Sequence, residues 1–321
     1  MLFRSMGLKT VVLNSERMNY DGKLDLSVLS SEVKEYASTE QDQILERVQG
    51  MDVVVTKEMP VDGDTIARFP DSVQLICEAG TGYNNIDIEA ARARGITVCN
   101  IPAYSTERVA HTAIMMILNL SSSMQIQQAM LARGDRSNFT KCMQVSHVEV
   151  NGKVLGVVGA GTIGREVIKV AQALGMKVLA YTRTPRADED NLKYVSLEEL
   201  LKQSDYISLH CPLTPQTRHM INKETIAMMK PTAYIINTGR GALIDEPALI
   251  EALKEGRIAG AGLDVQETEP PVQDNPLYDM PNVILTPHMG WKGLETRQRL
   301  VSILAANIQA FDEGRPQNVV S

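Results

Sequence analysis

Three residues able to do acid–base and carbonyl chemistry stand at the ends of apolar runs in the second half of this 321-residue chain. Arg240 lies between two glycines in "INTGRGALID", Glu269 precedes a proline pair in "GLDVQETEPP", and His288 follows "VILTP". A guanidinium fork can hold a carboxylate or polarise a carbonyl. An imidazole can exchange a proton with a substrate oxygen, and a carboxylate partner favours its protonated form and fixes its tautomer. Together they suit a 2-oxo acid. Singly, Arg240 could be a helix-capping residue and Glu269 an exposed loop acid. His111, His147, His210 and His219 read as surface or hydrogen-bonded structural residues.

Such chemistry needs a platform, and "VLGVVGAGTIGREV" (154–167) describes one. It reads as a strand, a glycine turn and a helix start. Gly159 allows the tight turn, Gly161 the close approach of a pyrophosphate, and Gly164 close packing of helix on strand. Thr162 and Ile163 open the helix whose N-terminus faces the negative charge. A lone glycine fingerprint is weak; this one follows "KVLGVV" and opens "TIGREVIKVAQALG", the required context.

Short β-rich runs alternate with helix-period stretches along the rest of the chain. "KTVVLN", "DVVVTK", "VQLICEAG" and "GITVCN" precede the fingerprint, with "IDIEAARARG" as a helix ending at Gly95. "KVLAYT", "DYISLHCP", "AYIINTG", "AGAGLDV" and "VILTPH" follow it. This is βαβ patterning in both halves, so the expected fold is α/β with two doubly wound parallel-sheet domains. Glu107 to about Arg133 reads as one long apolar helix, and "LETRQRLVSILAANIQAFDEG" as a closing amphipathic one. In an open parallel sheet the strand C-terminal ends share one edge, so Arg240, Glu269 and His288 converge beside the glycine turn.

Composition bounds the alternatives. With 44% hydrophobic and 22% charged residues the chain is ordinary for a globular protein, and its net charge of −7 disfavours nucleic acid or anionic membrane as partner. Cys77, Cys99, Cys142 and Cys211 are scattered, as suits reduced thiols in the cytoplasm better than disulfides or a metal site. No secretory signal and no membrane span is expected.

With these motifs in hand, the chain resembles the D-isomer-specific 2-hydroxyacid dehydrogenases, from "LICEAGTGYNNIDIEAARARGITVCN" to "RPQNVV". Their catalytic Arg, Glu and His match Arg240, Glu269 and His288. The resemblance implies a flavodoxin-like substrate domain, residues 1–101 and 291–321, interrupted by an NAD(P)-binding domain, residues 102–290, with the active site in the cleft between them. It further implies that the backbone of Ala79, Gly80 and Thr81 receives the substrate carboxylate and that Asp264 bonds the nicotinamide carboxamide. Cys211, Pro212, Thr217 and Thr238 would line the cofactor. The helix from Glu107 resembles the family's dimerisation element and implies a homodimer, although His111 stands where Glu or Gln is expected.

"TGYNNIDIEAARARGI" and "HMGWKGLETRQRL" are most similar to the hydroxypyruvate/glyoxylate reductase branch, which implies reduction of small 2-oxo acids to D-2-hydroxy acids. That branch usually has Asn-Lys at Lys57-Glu58, so its contacts there do not transfer. Dehydrogenation of larger D-2-hydroxy acids and a non-catalytic, NAD(P)H-sensing corepressor role are the alternatives. Cofactor choice turns on "VLAYTRTPRADED". An NAD site places an acid about twenty residues after the glycines; Thr182 stands there, followed by Arg183, Thr184, Pro185 and Arg186. Two guanidiniums and two hydroxyls suit a 2′-phosphate. NADP(H) is therefore expected as the preferred cofactor, with NAD(H) also usable.

Overall fold

The computed structural model describes residues 7–184 and 186–321. The first six residues, part of the stretch read for a signal, and Pro185 of the basic turn lie outside the described residues. The chain divides into two units: one runs to Ser105 and resumes as Lys292–Ser321, and the other is Thr106–Trp291. The crossings expected after residues 101 and 290 fall four residues and one residue before these bounds.

The first unit contains strands β1 (Lys9–Val12), β2 (Glu32–Glu35), β3 (Val53–Thr56), β4 (Leu75–Glu78) and β5 (Thr97–Cys99). They form one parallel sheet in the order β2-β1-β3-β4-β5, the flavodoxin-like arrangement. Every residue of β3 (VVVT) and β4 (LICE) is buried, as strands covered on both faces require. The edge strand β2 (EVKE) is mostly exposed, and its charges blunt the edge. The closing helix Leu294–Asp312 buries Leu300, Leu304 and Ile308. Its Asn307 donates to the Asn100 carbonyl, 2.9 Å away, just past β5.

The second unit contains β6 (Val154–Val158), β7 (Lys177–Tyr181), β8 (Leu192–Tyr194), β9 (Tyr206–Leu209), β10 (Tyr234–Asn237), β11 (Gly260–Leu263) and β12 (Val283–Leu285). The order is β12-β11-β10-β9-β6-β7-β8, parallel throughout. The chain winds outward from β6 to β8, then restarts at β9 on the other side, so its direction reverses between β6 and β9. Helices Thr106–Ser121 and Thr162–Ala173 cover one face, burying Ala113, Ile117, Val167 and Ala171. Leu200, Ile226, Leu249 and Leu253 fill the other.

One long helix from Glu107 to Arg133 does not form. It ends at Ser121, Ser123 takes a left-handed conformation (φ 50°), and a second helix runs Met124–Ala132. The serine run explains the break. Ser121 and Ser122 donate to the Leu118 carbonyl, and Ser123 donates to Ser146 instead of supporting a helical turn. The apolarity of Thr106–Ser121 also has an internal cause: ten of its sixteen residues are buried, and Ala110, Ala113, Ile114, Met116 and Ile117 pack into the core of its own unit. The exposed stripe carries Glu107, His111 and Leu118.

Candidate active site

The direction reversal between β6 and β9 leaves a crevice where two strand ends diverge, and the glycine turn sits there. Gly159 has φ 99°, and a Cβ on it would lie 2.6 Å from the Cys211 amide nitrogen at the end of the neighbouring strand. Only glycine closes this junction. A Cβ on Gly164 would lie 2.1 Å from the Gly159 carbonyl oxygen, so the helix start presses directly on the turn. A Cβ on Gly161 would meet nothing within 4 Å; this flank is open to an approaching ligand. Gly161 and Thr162 are exposed, and Ile163 is half-buried.

A second observation fits a bound nucleotide. The Thr238 hydroxyl, past the end of β10, is buried with no hydrogen-bond partner among the described residues. Burying such a group unpaired costs roughly 1–3 kcal/mol, so it fits a site that supplies a partner. Thr217 is different. Its hydroxyl accepts from the Thr214 amide and donates to the Pro212 carbonyl, both at 2.7 Å, and so shapes the turn after Cys211 and Pro212. Burial pushes the Cys211 thiol up to about 11 and the His210 ring down to about 4, and His210 Nε2 lies 2.8 Å from the Ser208 hydroxyl.

At the end of β7 the Thr182 hydroxyl donates to the Thr184 carbonyl (2.7 Å). Asp188 and Glu189 are occupied: Asp188 accepts from the Tyr194 amide, and Glu189 pairs with Arg165 and Tyr194. Arg183 and Arg186 are exposed, and among the described residues neither has an ion-pair partner.

The candidate catalytic residues Arg240, Glu269 and His288 stand past strand ends at the same sheet edge. Glu269 and His288 meet, Oε2 to Nδ1, at 2.8 Å. Glu269 Oε1 also accepts the Gln266 amide at 3.0 Å, which turns the side chain back over its own loop. His288 has φ 49°, and its N–H donates to the Asp264 carbonyl at 2.9 Å. Asp264, 1% exposed, then gathers this loop with its carboxylate, accepting from the Thr286 hydroxyl and from the Met289 and Gly290 amides at 2.8 Å. Arg240 precedes a 3-10 turn, Gly241–Leu243. Its backbone is extended (φ −139°), its carbonyl accepts from Asn237 Nδ2 at 2.9 Å, and its guanidinium donates to the Gly239 carbonyl at 2.9 Å. A Cβ on Gly241 would lie 1.9 Å from the Gln266 carbonyl oxygen, so the Arg240 turn and the Glu269 loop touch backbone to backbone.

In the first unit, the loop after β4 holds Ala79, Gly80 and Thr81. The Ala79 amide is committed to the Thr56 carbonyl (2.7 Å); those of Gly80 and Thr81 have no acceptor among the described residues. The loop rests on Glu78, which is fully buried. Thr56 and Asn85 donate to its Oε2 at 2.8 and 2.9 Å, and the Glu58 amide donates to Oε1 at 2.9 Å. Burial pushes the Glu78 carboxyl up, and the Lys57 ammonium opposes that rise. Lys57 is buried and paired with Glu58. A Cβ on Gly80 would press to 3.1 Å from Glu78 Oε1 and 3.3 Å from Lys57 Nζ, which accounts for glycine here.

His219, read from sequence as a surface or hydrogen-bonded structural residue, forms a cluster with Arg218 and Glu267, which sequence reasoning did not single out. The doublet of acids in "QETEPP" was the available signal. Among the described residues, no group of three or more His, Cys, Asp and Glu side chains could hold a metal ion, and no helix is long and apolar enough to cross a membrane.

A glycine turn at the direction reversal, and a His–Glu pair at the same sheet edge, fit a nicotinamide-dependent oxidoreductase of the doubly wound class. Comparison with known proteins narrows this. Residues 114–290 match the NAD binding domain of the D-isomer specific 2-hydroxyacid dehydrogenases, and the chain belongs to that family. It is 41% identical over 287 residues to a hydroxypyruvate reductase of Blautia hydrogenotrophica, covering 88% of this chain and 89% of that one. It is 42% identical over 294 residues to a glycerate dehydrogenase of Methylorubrum extorquens (90% and 92%). Among solved structures, a glyoxylate reductase from Paecilomyes thermophila superposes with a TM-score of 0.84 at 32% identity, over 98% of both chains.

Proposed function

We propose that this protein reduces small 2-oxo acids of the hydroxypyruvate and glyoxylate kind to D-2-hydroxy acids, with NADPH preferred over NADH. The reading is carried by the His288–Glu269 pair, 2.8 Å apart at the sheet edge that also bears the glycine turn. Relatives named hydroxypyruvate reductase and glycerate dehydrogenase support the substrate class. Gly159, Gly161, Thr162, Ile163 and Gly164 hold the pyrophosphate, and Thr238, Cys211 and Pro212 line the same crevice. The reduced nicotinamide, when bound, supplies the hydride. Because Glu269 takes the Nδ1 side of His288, the Nε2 side is left for the substrate oxygen and delivers the proton there. Glu269 fixes the orientation of the ring. Arg240 holds the oxo acid and polarises its carbonyl, and the Gly80 and Thr81 amides take the carboxylate.

Support for NADPH comes from the end of β7, where Thr182 replaces an acid and Arg183 and Arg186 are exposed and unpaired among the described residues. The assembly is a homodimer formed through residues 118–148. Of fourteen large hydrophobic side chains exposed among the described residues, Leu118, Met124, Leu131, Phe139, Met143 and Val148 fall in that stretch, and Phe139 is 74% exposed. None of the nine residues of helix Met124–Ala132 is buried. A steady-state assay with glyoxylate, hydroxypyruvate and larger 2-oxo acids, against both reduced cofactors, tests the reading. The highest kcat/KM is expected for a small oxo acid with NADPH; no turnover of any oxo acid would overturn it.

A further inference from the structure

The acid two positions before Glu269 has partners on a different loop. Glu267 Oε1 accepts from Arg218 Nη2 at 3.0 Å and meets His219 Nε2 at 2.6 Å. Both partners end the turn that begins at Cys211 and Pro212, the segment packed against Gly159. This turn is tightly built. Thr217 closes it internally, and the His219 amide donates to the Ala242 carbonyl at 2.9 Å. His219 has φ 50°, a conformation that non-glycine residues adopt only when surroundings impose it, so its ring is aimed by the fold. On the other side, the Glu267 amide donates to Glu246 Oε2 at 3.1 Å, and the Gln266 carbonyl lies against Gly241. Glu269 reaches back to the Gln266 amide. The Gln266–Glu269 segment has no regular structure of its own, so these ties set where the Glu269 carboxylate points.

We infer that Glu267 is a positioning residue, coupling the Cys211–His219 wall of the nucleotide crevice to the carboxylate that orients His288. The titratable and charged groups facing it are His219 and Arg218 from the turn and Glu246 from the start of the helix Glu246–Lys254. The Glu267 side chain is 21% exposed against 54% for Arg218, so the acid end of the pair is the less screened. A ligand that settles the turn thereby settles Glu269, although Glu267 touches neither His288 nor substrate in this account.

The inference rests on the acid–base reading of Glu269 and His288, and its test separates the two. Glu267→Ala and Glu267→Gln are compared with the wild-type chain by thermal melting, by steady-state kinetics, and by the nitrogen-15 NMR ring signals of His288 at one pH in the cofactor-free protein. His288→Asn and His219→Asn assign the signals. Glu267→Ala is expected to lower kcat about tenfold, the scale of a sub-ångström misplacement, with the KM for the oxo acid within twofold. The His288 Nδ1 signal should move as its hydrogen bond to Glu269 loosens. Glu267→Gln keeps an oxygen for Arg218 and should restore kcat to within about threefold of wild type and the His288 signal with it. An unchanged His288 Nδ1 signal in Glu267→Ala, or a folded Glu267→Gln as impaired as Glu267→Ala, overturns the inference. A wild-type chain that reduces no oxo acid fails the functional reading alone, because the NMR comparison still decides on Glu267.

Discussion

Replacing Asp264 by Asn changes one atom and should cost more than its size suggests. The buried carboxylate accepts from the Thr286 hydroxyl and the Met289 amide through Oδ1, and from the Gly290 amide through Oδ2. An asparagine that keeps its oxygen at Oδ1 turns an NH2 group on the Gly290 N–H, donor against donor. The lost charge-assisted bond is worth about 1.5–3 kcal/mol, and the stranded buried N–H costs about 1–3 more. A total of about 4 kcal/mol lowers the melting temperature by about 8–16 °C at the usual 2–4 °C per kcal/mol for a domain of this size. Gly290 packs closely on the carboxylate, a Cβ there lying 2.9 Å from Asp264 Oδ2, so relief comes by moving the loop away. The loop that shifts carries His288, so kcat should fall at least about tenfold. Calorimetry and steady-state kinetics on Asp264→Asn check both numbers. A melting temperature within 2 °C of wild type with unaltered turnover would refute the anchoring argument. Weaker cofactor binding at an unchanged melting temperature would instead point to the nicotinamide contact implied by resemblance.

Other expectations follow from the same geometry. His288→Ala should cut kcat by about 10²–10⁴ while cofactor binding persists; near-normal turnover removes the residue from its proposed role. With exposed guanidiniums discounted to about 1 kcal/mol each, Arg183 and Arg186 should give NADPH roughly a thirtyfold advantage in kcat/KM that shrinks in salt. Thr182→Asp with Arg183→Ala should reverse that preference, and equal use of NADH by wild type at low salt would make the basic turn mere surface. Light scattering should find a dimer at micromolar concentration, weakened by Phe139→Asp; a stable wild-type monomer contradicts the exposed 118–148 surface. Finally, His210 is held neutral by burial to about pH 4, whereas the unfolded chain takes up its proton below about 6.5. Unfolding free energy should therefore drop as pH falls from about 6.5 toward 4, and His210→Gln should flatten that slope; urea titrations at pH 7 and 5 that give identical stabilities would count against it.

Much of the fold was legible because fully covered parallel strands leave a strong signal. Runs such as VVVT in β3 and YISL in β9 bury every residue, and their β-branched and aromatic content marks them. The strands without such a signal are edges. EVKE in β2 alternates charge with valine because one side meets water, and β8 is three residues long. The helix break at Ser121–Ser123 was hidden for a related reason. Serine is tolerated in helices, and whether it turns on the backbone depends on acceptors such as the Ser146 carbonyl, distant in sequence.

The candidate site divides along the same line. Arg240, Glu269, His288 and the glycine turn are readable because their chemistry or conformation restricts the residue type. Gly159 has to be glycine where a strand end approaches to 2.6 Å, and an acid–base pair needs an acid and a base. The groups that aim them act through backbone partners, and a backbone amide carries no residue signature. Nothing in "EAGTG" reveals that the Ala79 N–H is already committed to Thr56, which leaves Gly80 and Thr81 for a ligand. Nothing in "GLDV" reveals that Asp264 faces the Met289 and Gly290 amides. Glu267 falls between these cases: its partners Arg218 and His219 are side chains, yet the pairing exists only because His219 is held at positive φ by the Ala242 and Asn222 contacts. The proposed reacting groups are thus written in residue types, and their aim is written in the turns that hold them.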